Sequence, residues 1–141
     1  MTTTRISTPR GTSDILPEEI PLWQDLERKA HHLLAAYGYR EIRTPYFEET
    51  VLFVRSLGQT SDVVTKQMLH LAAAKEGGDR SQESGLCLRP EATASIVRAY
   101  LQNNLNKKEH LSKLYYIGPM FRGERPQKGR LRQFHQVGVE A

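Results

Sequence analysis

The stretch LYYIGPMFRGERPQKGRLRQFHQVGVE, residues 114–140, contains two β-strand patterns joined by a basic loop. Residues 114–121 and 134–140 are rich in aromatic and aliphatic side chains, which are favoured in strands. The residues between them are charged and contain proline and glycine, which is typical of a loop. The stretch therefore predicts an antiparallel hairpin, and the rest of the chain is best understood from it.

Alternation along the second strand separates its side chains into two faces. We expect the valine-bearing face to pack against a core. The other face combines an aromatic ring, an amide, a carboxylate and a glycine gap, which could form a floor for a small ligand. Taken alone, a half-solvated strand is the commoner interpretation. The two predicted faces are His135, Val137 and Val139 on one side, and Phe134, Gln136, Gly138 and Glu140 on the other.

The net charge of +4 is concentrated in the loop between the two strands. Residues 122–132 carry five cations and the single anion Glu124, so the remaining 15 basic and 15 acidic residues cancel. Such a focus favours a polyanionic ligand, although a solvated basic loop would have the same composition. Arg122 at the strand end has the forked donor that suits a phosphate, and a carboxylate such as Glu140 suits a ligand ammonium group.

The remaining composition is that of an ordinary globular domain, with 141 residues, 38% of them hydrophobic and 26% charged. The single cysteine, Cys87, excludes an internal disulfide, and the five histidines show no metal-binding spacing. No apolar run approaches the ~18 residues of a membrane span, and the first residues lack the apolar segment of a secretory signal. We therefore expect a cytoplasmic location and no membrane partner.

The chain reads as one α+β unit. A first helix is expected to begin near Pro17 and to end at Gly38, with an apolar stripe at spacings of three and four residues. Further helices are predicted for residues 49–57 and 91–102. Strands are predicted for residues 40–44, 68–72 and 86–88, the last two flanking a polar tip at residues 75–85. The stripe of the first helix consists of Leu22, Leu26, Ala30, Leu33 and Tyr37.

Three separated segments resemble one family. Residues 121–136, FRGERPQKGRLRQFHQ, resemble motif 2 of the class II aminoacyl-tRNA synthetases, and more narrowly that of the histidyl-tRNA synthetases. Residues 88–94, LRPEATA, resemble the LRPEGTA segment of that family, although Ala92 replaces its glycine. Residues 9–17, PRGTSDILP, resemble its N-terminal signature, and residues before Pro45 match the place of motif 1. The resemblance covers nearly the whole chain except residues 75–85.

The resemblance implies a partial class II catalytic fold, an antiparallel sheet flanked by helices. Residues 1–141 would be the N-terminal portion of the catalytic domain, with motifs 1 and 2. The later strands, motif 3 and the anticodon-binding domain are expected beyond Ala141. The implied activity is ATP-dependent formation of histidyl-adenylate and transfer of histidine to its tRNA. We expect little activity from the isolated piece and an uncovered strand edge that favours association.

Residue roles follow from the same resemblance. Arg122 would be the catalytic residue at the α-phosphate of ATP, which would arrive with Mg²⁺. The implied ATP-binding set is Arg122, Glu124, Arg130 and Phe134. The implied histidine-binding set is Glu91, Thr93, Gln136 and Glu140. Arg125 and Gln127 would meet the acceptor end of the tRNA, and a homodimer is expected through the motif 1 region.

The same residues are also compatible with less specific roles. Glu91 could simply stabilise a helix N-terminus, and Arg89 could be a structural partner rather than a ligand residue. A related regulatory subunit of ATP phosphoribosyltransferase senses histidine without forming an adenylate, and it needs no ATP- or tRNA-binding groups. A plain nucleic-acid-binding module would account for the basic loop but not for Glu91, Gln136 and Glu140.

Overall fold

The computed structural model describes residues 6–72, 83–108 and 110–141. In these residues, three α-helices surround two small sheets, together with a π-helical turn at Val63–Gln67 and a 3₁₀ turn at Leu105–Lys107. The helices are α1 (Ile20–Ala36), α2 (Thr50–Leu57) and α3 (Thr93–Gln102). The strands are β1 (Arg40–Glu41), β2 (Phe47–Glu49), β3 (Leu69–Ala72), β4 (Glu83–Leu88), β5 (Leu114–Phe121) and β6 (Gln133–Glu140).

The hairpin predicted for residues 114–140 is confirmed. β5 and β6 pair antiparallel without interruption, from Leu114 opposite Glu140 to Phe121 opposite Gln133. β1 extends this sheet in parallel on the other side of β5, so the strand order is β1-β5-β6. The second sheet is antiparallel, with the order β2-β4-β3. The α+β class with mainly antiparallel pairing therefore agrees with the prediction.

The core lies where α3 packs between the two sheets. Ile96 of α3 joins Ala92, Leu114 and Met120 in one buried cluster. Ala94, two residues earlier on the same helix, joins Phe53 and Cys87 in a second cluster. Because both clusters include the start of α3, the segment before this helix is fixed relative to β5 and β6.

The predicted packing of the valine face is wrong. Val137 and Val139 remain 53% and 47% exposed. The core is formed instead on the opposite face of β6, where Phe134 packs beside the first cluster. Strand alternation predicts which residues share a face, but the position of α3 determines which of the two faces is covered.

The apolar stripe predicted along one face of α1 is exposed, with Leu22 at 73% and Leu26 at 60%. The helix touches the sheet through a different row, because the Trp23 ring meets His135 at 4.8 Å and His31 Nδ1 lies 2.7 Å from the hydroxyl of Tyr115. The helix begins at Ile20 rather than near Pro17, and residues 17–19 form a turn. The packing of His135 against an aromatic ring agrees with the expectation that it has a structural role.

Other predicted boundaries need smaller changes. The helices expected at residues 49–57 and 91–102 are present as α2 and α3. Gly58, with φ of 84°, is the C-cap residue of α2. The strand expected at residues 40–44 is reduced to Arg40–Glu41, and the Thr44 carbonyl beyond it accepts a hydrogen bond from the Arg89 side chain. Most of the predicted tip at residues 75–85 lies outside the described residues. The strand β2 and the π-helical turn were not predicted.

Candidate active site

Arg122 follows the end of β5, at the mouth of the hairpin. Its Nε donates a hydrogen bond to the carbonyl oxygen of Pro90 at 3.0 Å. Its guanidinium carbon lies 5.1 Å from the centroid of the Phe134 ring. Phe134 shares the face of β6 with Gln136 and Glu140, so the predicted phosphate-binding and amino-acid-binding groups occupy one side of the sheet.

A cavity of about 740 Å³ opens beside this arginine. All four residues predicted to bind ATP line it. The other wall comes from the π-helical turn, which the sequence pattern does not predict; Asp62, Val63 and Gln67 face the cavity. The turn is held in place because Gly123 N–H donates to the Gln67 carbonyl at 2.6 Å. A π-helical turn has no strong sequence signal, although such turns are frequent at functional sites.

The basic loop has internal structure. Gln127 and Arg130 form a two-residue bridge, and Gly129 adopts φ of 80°, which glycine tolerates best. Glu124 lies 3.8 Å from Arg130, and its carbonyl accepts a hydrogen bond from Arg132 Nε. The only carboxylate of residues 122–132 therefore pairs with one of their cations, Arg130, while Arg132 is held by the backbone.

The predicted tRNA-binding side chains, Arg125 and Gln127, lie at the exposed tip of this loop. With Lys66 they border a second, smaller cavity of about 230 Å³ that also touches Glu124 and Arg130. They are thus separate from the inner face of the hairpin but adjacent to the larger cavity.

The N-terminal segment packs against the base of the same loop. Thr12 N–H donates to the Pro9 carbonyl in a turn, and the Gly11 carbonyl accepts a hydrogen bond from Arg132 N–H at 2.7 Å. Gly11 has φ of 89°, and a β-carbon there would lie 2.9 Å from side-chain atoms of Pro126 and Arg132. Both the positive φ and the short distances to these side chains favour glycine at this position. This contact attaches residues 9–12 to the base of the loop.

Three of the four predicted histidine-binding residues, Glu91, Thr93 and Glu140, meet at the start of α3, and Gln136 shares the β6 face with Glu140. Thr93 Oγ1 donates to Glu140 Oε1 at 2.7 Å, which joins the helix to β6. Glu91 Oε1 accepts a hydrogen bond from Ala94 N–H at 3.0 Å, so this carboxylate also caps the first turn of α3. The Gln136 Oε1 atom is buried and has no hydrogen-bond partner. An unpaired buried acceptor is costly, and it fits a site that a ligand donor completes.

The gap expected above Gly138 is filled. Tyr116 lies directly opposite Gly138 in the hairpin, and a β-carbon at Gly138 would be 2.3 Å from Tyr116 Cζ. Gly118, opposite Gln136, leaves room in the same way for Arg89, whose Nη2 would be 2.9 Å from a β-carbon there. The floor of the site is therefore made by a tyrosine and an arginine that the alternation of β6 alone does not reveal.

Arg89 is a buried cation held by neutral groups, with only 4% of its surface exposed. Its Nε donates to the Pro119 carbonyl at 3.0 Å, and its Nη1 donates to the carbonyl and hydroxyl oxygens of Thr44. Its guanidinium also lies 4.7 Å from the centroid of the Tyr46 ring. Burial lowers the pKa of Arg89, as expected for a cation removed from water. These contacts support a structural role for Arg89.

In the part of the chain that the structure describes, no cluster of three or more histidine, cysteine or acidic side chains could hold a metal ion. Asp62 pairs with Lys66 at 2.8 Å, so one acidic group beside the large cavity is already neutralised. No helix within the same ranges is both long enough and apolar enough to cross a bilayer.

Comparison with known proteins gives the family of this arrangement. The family model of histidyl-tRNA synthetase matches residues 11–141. The chain belongs to the histidyl-tRNA synthetase family. The histidine–tRNA ligase of Moorella thermoacetica is 56% identical to it over 135 residues, which are 96% of this chain and 30% of that protein. The ligase of Syntrophotalea carbinolica is 52% identical over 136 residues, with 96% and 31% covered. This member of the synthetase family thus spans about a third of the length of these relatives.

Solved structures agree on the fold of this synthetase segment. Apo histidyl-tRNA synthetase from Staphylococcus aureus superposes with a TM-score of 0.69 at 39% identity, covering 96% of this chain and 28% of that one. A protein described as an ATP phosphoribosyltransferase regulatory subunit/histidyl-tRNA synthetase, from Bacillus halodurans C, has a TM-score of 0.73 at 25% identity, covering 98% and 32%. The partial class II fold is therefore established, and both kinds of relative share it.

Proposed function

We propose that this chain supplies the ATP- and histidine-binding half of the adenylation site of a histidine–tRNA ligase. The observation that carries the proposal is the position of Arg122. It stands 5.1 Å from the Phe134 ring at a cavity of about 740 Å³, on the same sheet face as Gln136 and Glu140. A nucleotide in the cavity and an amino acid on the sheet would meet at this arginine.

The nucleotide half rests on three kinds of group. The Phe134 ring offers a stacking surface for adenine, and Glu124 can accept a hydrogen bond from the adenine amino group. Arg122 and Arg130 supply positive charge for the phosphates. Glu124 and Arg130 lie 3.8 Å apart, so the group proposed for adenine and one of the groups proposed for the phosphates are neighbours before ATP binds.

The placement of Arg122 supports the following reaction. A carboxylate oxygen of histidine attacks the α-phosphorus of ATP, the bond to the bridging oxygen breaks, and pyrophosphate leaves with the electron pair. Negative charge grows on the α-phosphate oxygens in the transition state. Arg122 is held by Pro90 before the ligand arrives, so it stabilises that charge without reorganising. Removal of such a donor typically costs about 10²–10³ in rate.

The amino-acid half provides acceptors for an ammonium group. Glu140 and Glu91 are carboxylates near the start of α3, and Thr93 is hydrogen-bonded to Glu140 at 2.7 Å. Gln136 adds a buried carbonyl oxygen that lacks a partner. We propose that histidine lies across these four residues with its carboxylate towards Arg122.

Magnesium would enter as the complex of ATP, because phosphates are its usual ligands. Among the described residues there is no group of three or more histidine, cysteine or acidic side chains to hold it apart from the nucleotide. Its chemistry would be the neutralisation of phosphate charge, and we assign no residue of this chain to it.

Transfer of histidine to the tRNA acceptor end would use the loop tip. Arg125 and Gln127 are exposed there, beside the nucleotide cavity. The whole ligase activity, the cytoplasmic location and a homodimer through the motif 1 region belong to the same proposal.

A second candidate is a histidine-sensing regulatory subunit of ATP phosphoribosyltransferase, and the likeness to the Bacillus halodurans C protein favours it. Such a protein needs the amino-acid groups only. Arg122, Glu124 and Phe134 are retained around the nucleotide cavity, which supports the ligase over this alternative.

The test uses a chimera. This chain replaces the matching N-terminal segment of the Moorella thermoacetica ligase, with which it is 56% identical. We expect histidine-dependent exchange between ATP and pyrophosphate by the chimera, loss of exchange in its Arg122→Ala form, and retention in its Arg125→Ala form. The isolated chain should show little or no exchange. A folded chimera that binds histidine but never exchanges pyrophosphate would support the regulatory alternative.

A further inference from the structure

Tyr116 occupies the centre of the predicted amino-acid subsite, although it lies on β5 rather than on a motif identified in the sequence. It stands opposite Gly138, and the β-carbon of any larger residue there would be 2.4 Å from the Tyr116 hydroxyl oxygen. The hydroxyl therefore lies over the strand segment between Gln136 and Glu140. The ring replaces the missing side chain of Gly138 and sets the depth of the floor.

The surroundings of this hydroxyl are polar. The pKa of Tyr116 is raised mainly by burial, and the negative charges of Glu140 and Glu91 act in the same direction. The positive charge of Arg89 and a hydrogen bond with Thr93 oppose the shift. The phenol is thus a neutral hydrogen-bonding group at physiological pH, and it lies near enough to both carboxylates to interact with their charge.

Packing alone does not explain a tyrosine at this position. The ring contacts the cluster formed by Ala92, Ile96 and Leu114, and a phenylalanine would fill the space over Gly138 equally well. A half-buried hydroxyl normally requires partners. Its neighbours here are three residues already expected to bind histidine: Glu91, Thr93 and Glu140.

We propose that Tyr116 is a further substrate-binding residue of the amino-acid subsite, with its hydroxyl bonded to the bound amino acid and its ring limiting the depth of the pocket. The inference rests on the proposed function and deepens it. The ligand chemistry is that of a free amino acid, whose ammonium group is shared by the hydroxyl and the two carboxylates. Gln136 would bind another donor of the same ligand through its unpaired oxygen.

The test measures histidine and ATP binding separately by isothermal titration calorimetry, on the chain and on its Tyr116→Phe variant. Tyr39→Phe is the matched control, because it removes a hydroxyl from a tyrosine whose ring instead contacts Lys113. We expect Tyr116→Phe to weaken histidine binding roughly tenfold and to leave ATP binding unchanged, as for loss of one hydrogen bond to a charged group. Tyr39→Phe should leave both unchanged.

A second measurement follows the Tyr116 side chain in the wild-type chain directly. With ¹³C-labelled tyrosine, the Tyr116 ring resonance, assigned by its absence from Tyr116→Phe, should shift when histidine is added to the wild-type chain. Unaltered histidine affinity in Tyr116→Phe, or a Tyr116 resonance that ignores bound histidine, overturns the inference alone. Failure of the wild-type chain to bind histidine overturns the proposed amino-acid site and the inference together.

Discussion

Arg122 Nε donates a hydrogen bond of 3.0 Å to the carbonyl oxygen of Pro90, and this bond joins the two halves of the candidate site. Phe121 N–H donates to the Arg89 carbonyl beside it, also at 3.0 Å. The segment that leads to Glu91 is thereby attached to the end of β5. These two hydrogen bonds to residues 89–90 consequently fix the predicted phosphate-binding arginine relative to the predicted amino-acid-binding carboxylate, Glu91.

The first prediction concerns Arg122 itself. In Arg122→Lys, the charge remains but the forked donor and the geometry of the bond to Pro90 are lost. We expect ATP binding by the chain to weaken about tenfold or more, as measured by calorimetry, with histidine binding reduced less. Arg125→Lys, the same change at the exposed loop tip, is the control. Equal loss of ATP binding in both variants would show that the effect does not depend on the position of Arg122.

Arg89→Met should destabilise the chain. The variant removes a buried side chain that donates to Pro119 and Thr44, and it leaves their carbonyl oxygens without these donors. The expected loss in free energy of unfolding is about 2–4 kcal/mol, because each buried unsatisfied group costs ~1–3 kcal/mol. Urea denaturation followed by circular dichroism measures it. Arg55→Met, at an exposed position of α2, should change stability by less than about 0.5 kcal/mol.

Gly138→Ala should be strongly destabilising, because the added methyl group would lie 2.3 Å from Tyr116 Cζ. Overpacking of this kind costs about 1–3 kcal/mol or more. A double-mutant cycle tests the cause: in a Tyr116→Ala background, the additional cost of Gly138→Ala should largely disappear. If the cost is the same in both backgrounds, the tyrosine ring is not what excludes a larger residue.

Stability should fall at alkaline pH through Cys87. This thiol is fully buried, and burial raises its pKa, with the charge of Glu48 acting in the same direction. Because the folded-state pKa exceeds the unfolded one, the contribution is fully present below the unfolded pKa of about 8.5 and is lost progressively as the pH rises above it. Urea midpoints measured from pH 7.5 to 9.5 should decline in the wild type and decline less in Cys87→Ala. Parallel slopes would count against the thiol as the source.

The exposed apolar rows predict self-association. Leu22 and Leu26 on α1 and Val137 on β6 are each more than half exposed, and large exposed apolar patches mark interaction surfaces. Sedimentation velocity should detect concentration-dependent dimers or larger species, and Leu26→Glu should shift the chain towards the monomer. Glu27→Gln, one position along the helix, is the control. A chain that stays monomeric at high concentration argues against this surface as an interface.

The hairpin and the grouping of its site residues are predictable from the sequence, because strand alternation and turn chemistry are local properties. Which side of β6 is covered depends on where α3 packs, which is not a local property, and Val137 and Val139 are exposed. Phe134, Gln136 and Glu140 share a face by alternation alone. The contributions of Tyr116 and of the turn containing Asp62 depend on long-range packing, and no local pattern identifies them.

The bond from Arg132 N–H to the Gly11 carbonyl makes the beginning of the chain a brace for its most cationic segment. Deletion of the residues up to Gly11 would therefore remove a support of the loop although the loop sequence is unchanged. A resulting loss of nucleotide binding could then be mistaken for damage to the hairpin itself.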